Sequence, residues 1–140
     1  WSSDVCSSDL DVANLLQTGS YVAQIAGETV PQIVMLPLLF LISSFIAFSI
    51  GSSWGTFAIM IPLSMEIALS LSLSPSLFLA AVLSGSVFGD HASPISDTTV
   101  VSSMAAATDH IDHVRTQLPY ALVSAGVATV CFFLTGAVLL

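Results

Sequence analysis

Between Val30 and Thr108 the chain carries only three formal charges, Glu66, Asp90 and Asp97, and all are acidic. Nothing else in the sequence restricts the fold as strongly. A water-soluble domain places charge on about one residue in four, whereas here charged residues make up 7% of the chain and apolar ones 55%. Residues 30–50 hold no charge at all, and about 20 such residues are needed to cross the hydrocarbon of a bilayer. Backbone groups find no water there and must be satisfied within the segment, which favours helices. The expected class is an all-α polytopic membrane protein with several passes and the lipid bilayer as its surroundings.

The same balance excludes other classes. A formal net charge of −8, with Arg115 the lone Lys or Arg, rules out electrostatic binding of nucleic acid. Cys6 and Cys131 are too few and too far apart for a disulfide framework or a thiolate metal site.

Three regions follow from the pattern. Residues 1–10 (WSSDVCSSDL) are polar, lack the basic start of a signal peptide, and read as an unrelated leader or sequence artefact. Residues 11–29 suit a partial or interfacial helix, and residues 30–140 form the transmembrane region. Within it a first span covers 30–50, with Pro37 a place for a kink. The uncharged interruption 51–56 (GSSWGT) follows, and the helical pattern resumes over 57–73. Ser74 is placed as an N-cap with Pro75 at the first helical position. Residues 77–89 and 98–107 read as two short helical pieces, 108–117 as an extramembrane loop, and 118–140 as a final span. Two short pieces around an irregular polar stretch point to a broken or re-entrant helix, the alternative being a simple helix–turn–helix with the polar run at the surface. Irregular backbone survives at membrane depth only when buried in protein or lining a wet cavity. The motifs at 51–56 and 85–90 (GSVFGD) echo one another, each with glycines four apart. They suit either close helix contacts or two unwound loops facing one site.

The polar stretch is Gly89-Asp-His-Ala-Ser-Pro-Ile-Ser-Asp-Thr-Thr99. A carboxylate inside a membrane segment costs roughly 2.5–3.5 kcal/mol on insertion scales and marks an ion or substrate pathway. Asp90 is expected just beyond the C-terminal end of its helix, where exposed carbonyls disfavour its charge until a cation or proton joins it. Asp97 opens the next piece, where it serves as N-cap, as ion ligand, or as both. Ser93, Ser96, Thr98 and Thr99 add neutral oxygens suited to a hard cation, and Pro94 frees a carbonyl. His91 either shuttles protons or only hydrogen-bonds within the break. Glu66, one turn beyond Pro62, is an accessory candidate. Asp109-His-Ile-Asp-His113 lacks the spacing of zinc hydrolases, so its acids and imidazoles read as caps or partners of Arg115, and no catalytic or metal-ligating set is assigned.

The long acidic motif, Ser53-Trp-Gly-Thr56, and Asp109-His-Ile-Asp-His-Val-Arg-Thr-Gln-Leu-Pro-Tyr120 together resemble the NhaC family of Na+/H+ antiporters. The likeness covers about 30–140 and would correspond to the family's C-terminal portion. It implies a Na+/H+ exchanger of an ion-transporter superfamily built from inverted repeats with re-entrant hairpins, of which this chain would be one half. By the same likeness Ser96-Asp-Thr98 would stand where related carboxylate carriers have a Ser-Asn-Thr hairpin tip, and Ser53 and Thr56 join the accessory candidates. The expected activity is secondary exchange of Na+ for H+ through a carboxylate and hydroxyl site, with no cofactor and no enzymatic step. The alternative is a Na+/H+-coupled exchanger of small organic anions such as malate and lactate. The implied partners are the two ions and the missing N-terminal half of the same transporter, with homodimerisation left open.

Overall fold

A computed structural model describes residue 21 and residues 30–139; the leader and partial helix expected over 1–29 lie almost wholly outside them. Five helices follow in order: α1 (Gln32–Ile50), α2 (Ser53–Ser70), α3 (Pro75–Ala92), α4 (Asp97–Ala105) and α5 (His110–Leu139). The described residues form an all-α, multi-pass membrane-spanning bundle. Helices α1, α2 and α5 are each long and apolar enough to cross a membrane.

Backbone chemistry sets the boundaries. Gly51 ends α1 in the left-handed region (φ 71°), and its N–H returns to the Ala47 carbonyl. Ser52 then caps α2, its Oγ accepting from the Gly55 N–H. The interruption expected over 51–56 is therefore only a two-residue turn, and α2 starts at Ser53. Ser74 does stand at the N-cap position of α3 with Pro75 in the first turn. Its side chain makes no capping bond, however, and pairs with the Ser76 hydroxyl at 2.9 Å.

Two boundaries correct the sequence reading in ways that matter for function. Helix α3 does not stop at Gly89 but runs on through Asp90 and His91 to Ala92. It stops where proline chemistry requires. Ser93 precedes Pro94 and is extended (φ −74°, ψ 131°), because the proline ring disfavours the helical region for the residue before it. The segment 108–117 is not a loop either, since α5 begins at His110. Asp109 caps it, its carboxylate accepting from the Ile111 N–H at 2.9 Å. Polarity ended the apolar pattern there, but nothing in those residues opposes a helix.

Packing centres on α1 and α3. A Cβ on Gly85 would strike the Phe40 carbonyl, and one on Gly89 would strike the Ser44 carbonyl. These glycines let two backbones touch, as small residues do in membrane helices. Of the two echoed motifs, the second is a helix contact and the first is a turn. The pairs 40/85 and 44/89 advance in the same direction, so α1 and α3 run parallel, with α2 returning between them. Helix α5 runs antiparallel to α1, with Ile33 against Gly136 and the Phe40 and Phe132 rings 5.5 Å apart. Met35, Leu36, Phe40, Met60, Phe78 and Val82 lie in the buried core. Tyr120, Val123, Val127, Leu134 and Val138 project outward from α5, as apolar side chains facing lipid would.

Candidate functional site

At one end of the bundle the α1–α2 turn lies on the α3–α4 break. Ser93 Oγ donates to the Phe48 carbonyl at 2.8 Å, and a Cβ on Gly51 would meet Ile95. Asp90 sits between these two non-helical segments, in the last turn of α3 and only 5% exposed.

Its carboxylate is held by hydroxyls alone. Ser96 Oγ donates to Oδ1 at 2.6 Å, a charge-assisted length. Ser53 Oγ and Thr98 Oγ1 lie 3.4 and 3.5 Å from Oδ2. Ser53 is the first residue of α2, and Ser96 and Thr98 flank the start of α4. Two helix N-termini, whose free N–H groups carry partial positive charge, thus converge on one acid. The helix C-terminus expected beside Asp90 is thus one of three helix ends around it. Arg115, the one arginine in the chain, is exposed on α5.

Ser96 has a second function. It is the N-cap of α4, its Oγ accepting from the Thr98 N–H at 3.2 Å and lying 2.7 Å from Thr98 Oγ1. The capping role expected of Asp97 therefore falls to its neighbour. Asp97 is the first helical residue, exposed, and in a position where negative charge suits the helix dipole.

The remaining expected residues divide between support and separation. Thr56 is buried and bonds back to the Ser52 carbonyl at 3.0 Å, steadying the first turn of α2. Thr99 is buried and donates to the His91 carbonyl at 3.3 Å, which also accepts from Gln117 Nε2 at 3.1 Å. The His91 ring is exposed and its Nδ1 donates to the Val87 carbonyl at 2.9 Å, a bond within its own helix. Glu66 is exposed on α2, about 20 Å along the helix from Ser53 at 1.5 Å per residue.

His110 is the residue that sequence reasoning missed. Its Nε2 donates to the Pro94 carbonyl at 2.6 Å, and its Nδ1 is 3.2 Å from Ser103 Oγ. The Pro94 carbonyl is thus taken and α5 is pinned to the break, while the Asp90 carbonyl, which the missing Pro94 N–H leaves without its helical donor, accepts from the Ser93 N–H at 3.1 Å. The signal was present as a proline in a polar stretch, whose exposed carbonyls need donors from elsewhere. Its partner lies 16 residues on, a separation no local pattern reveals. Among the described residues no three His, Cys, Asp or Glu side chains gather in a way that would hold a metal ion.

Comparison with known proteins adds three relatives and one family. The profile of the Na+/H+ antiporter family matches residues 11–137. An uncharacterised protein of Haemophilus influenzae is 42% identical over 124 residues, covering 86% of this chain and 24% of the relative. The malate-2H(+)/Na(+)-lactate antiporter of Bacillus subtilis is 36% identical over 120 residues, covering 78% and 25% respectively. The arginine/ornithine antiporter ArcD of Halobacterium salinarum is 38% identical over 90 residues, covering 64% and 19%. The chain therefore spans a quarter or less of the length of these curated relatives. No solved structure matches it.

Proposed function

The chain belongs to the Na+/H+ antiporter family, and from that premise we propose that Na+ and H+ compete for Asp90 in a secondary exchange cycle. It is a multi-pass protein of the cell membrane and a transporter component, not an enzyme. The observation that carries the proposal is a buried carboxylate met by three hydroxyls and two helix N-termini. A carboxylate so placed is balanced by whichever small cation reaches it.

The hydroxyls suit both occupants. Each is at once a donor and an acceptor with a rotatable proton. With Na+ bound, Ser53, Ser96 and Thr98 turn lone pairs toward the ion, the neutral hard oxygens such a cation prefers. With a proton on Asp90, the acid donates to one hydroxyl and the rest bond among themselves, as Ser96 and Thr98 already can at 2.7 Å. Because one carboxylate cannot hold both, the occupants exclude each other, which is the requirement for coupled exchange. In this reading α3, the Ser93–Ser96 break and α4 form the discontinuous element of an inverted-repeat transporter. Nine-residue α4, about 13 Å long, is too short to cross a bilayer. Asp97, Ser93 and Thr99 shape that element, and residues 30–140 are the C-terminal transport region.

The relative named for malate and lactate supports a second reading, in which the same ion site drives an organic anion. Full-length protein in liposomes separates the readings. A Na+ gradient alone should drive proton flux, and acidification should raise the Na+ concentration needed for half-maximal rate without lowering the maximum. Flux that requires malate or lactate favours the anion exchanger, and no Na+-dependent proton movement under either condition rejects the site.

A further inference from the structure

Ten polar or charged side chains are buried among the described residues. Nine of them have hydrogen-bond partners. The exception is Ser43 in α1, fully buried with an unpaired Oγ. This is not the habit of serines in this bundle. Ser44, Ser64, Ser86 and Ser103, the other buried helical serines, each donate to a carbonyl three or four residues back, the usual resort of a hydroxyl in an apolar helix. Unpaired buried polar groups are rare in native proteins, and each calls for a cause such as a bound ion, a water or a functional role.

The helix register fixes where this hydroxyl stands. Phe40 meets Gly85 and Ser44 meets Gly89, while the Phe48 carbonyl accepts from Ser93, 45 residues on. Gly89 also meets the Ala47 Cβ and the Phe48 nitrogen, so Ser43 lies about level with Ser86 and Val87. That is one turn short of Asp90, or about 5 Å along the axis at 1.5 Å per residue. Around α1, Ser43 shares a stripe with the buried residues Leu36, Leu39 and Ala47, and Ala47 is the side chain packed on Gly89, the neighbour of Asp90. The edge of α1 that meets α5 runs instead through Ile33 and Phe40.

We infer that Ser43 Oγ is a further ligand of the Asp90 cation site, supplying a neutral oxygen from α1 to a small, partly dehydrated monovalent ion. The inference rests on the exchange role of Asp90. It gives the site an oxygen from a third element, beyond Ser53 on α2 and the Ser96–Thr98 pair. A hydroxyl with no internal bond turns toward an arriving ion without breaking anything. Being uncharged and fixed on a packed helix, it discriminates by ion size and not by charge, so it sets the preference between Na+ and Li+.

The test is Ser43→Ala in the full-length protein, reconstituted in liposomes and assayed for Na+-driven and Li+-driven proton flux. The expected result is a KM for Na+ raised about tenfold, a maximal rate within about twofold of wild type, and an altered Na+/Li+ preference; tenfold corresponds to about 1.4 kcal/mol. Without Na+ the variant should melt no lower than wild type, since no hydrogen bond is lost. Should Ser43→Ala fail to fold, Ser43→Cys offers similar bulk with a soft sulfur, and the same rise in KM is expected. A KM for Na+ and an ion preference matching wild type in a folded variant overturn the inference while leaving Asp90 in place. Absence of Na+/H+ exchange in the wild-type protein overturns both.

Discussion

Replacing Asp90 with Asn removes a charge and almost nothing else. The side chains are nearly isosteric, and the amide oxygen still accepts from Ser96 Oγ, now 2.6 Å from Oδ1. The amide nitrogen takes the place of Oδ2 and donates to Ser53 and Thr98, whose hydroxyls lie 3.4 and 3.5 Å away. Exchanging one hydrogen bond to a charged group for a neutral one sacrifices about 1–2 kcal/mol. Relief of a buried charge acts in the opposite direction, so the fold should survive. Ion binding should not. A cation about 2.4 Å from a carboxylate oxygen, the usual range for hard cations on oxygen, gains roughly 7 kcal/mol at an effective dielectric of about 20. If desolvation cancels four-fifths of this, the remaining ~1.4 kcal/mol still changes affinity tenfold. The proton is lost as a competitor as well, because an amide does not titrate. Asp90→Asn in the full-length protein should therefore be monodisperse and helical, yet show no Na+-driven proton flux in liposomes at any pH between about 6 and 9. A folded variant with flux within twofold of wild type would refute the assignment of the acid.

Further perturbations separate the parts of the site from its supports. Ser96→Ala removes both the short bond to Asp90 and the α4 cap. It should cost about 1–2 kcal/mol of stability in thermal melts and raise the Na+ requirement more than Ser53→Ala, whose contact is 3.4 Å. Asp97→Asn, at an exposed helix start, should lower stability by about 0.3–1 kcal/mol and reduce flux far less than Asp90→Asn. Gly89→Ala would drive a methyl into the Ser44 carbonyl and should cost about 1–3 kcal/mol through overpacking. Gly126→Ala, with open space around the added carbon, should leave melting unchanged or slightly raised. His110→Ala frees the Pro94 carbonyl and the start of α5, which should appear as faster amide exchange over residues 93–97 and 110–114 with the remaining helices protected.

Composition alone settles the solvent. The uncharged run over 30–50 and the scarcity of charge between Val30 and Thr108 are enough to call for membrane helices, and they mark Glu66, Asp90 and Asp97 as acids whose desolvation is costly. Proline and glycine also spoke locally: Gly51 ends α1, and Pro94 forces the break after Ala92. Polarity misled where it stood in for secondary structure. Residues 90–92 and 110–117 are polar yet helical, since a helix needs backbone geometry and a cap, not hydrophobicity. Tertiary structure alone decided which groups meet. Asp90 and Ser53 are 37 residues apart, and His110 and Pro94 are 16 apart. Their meetings depend on Gly85 and Gly89 bringing α1 and α3 into contact and on α2 returning between them. The same packing left Asp97 at the surface, gave the cap to Ser96, and closed Ser43 inside without a partner. Spacing along a chain sets which face of a helix a residue occupies, but only the packing of one helix on another sets what that face will find.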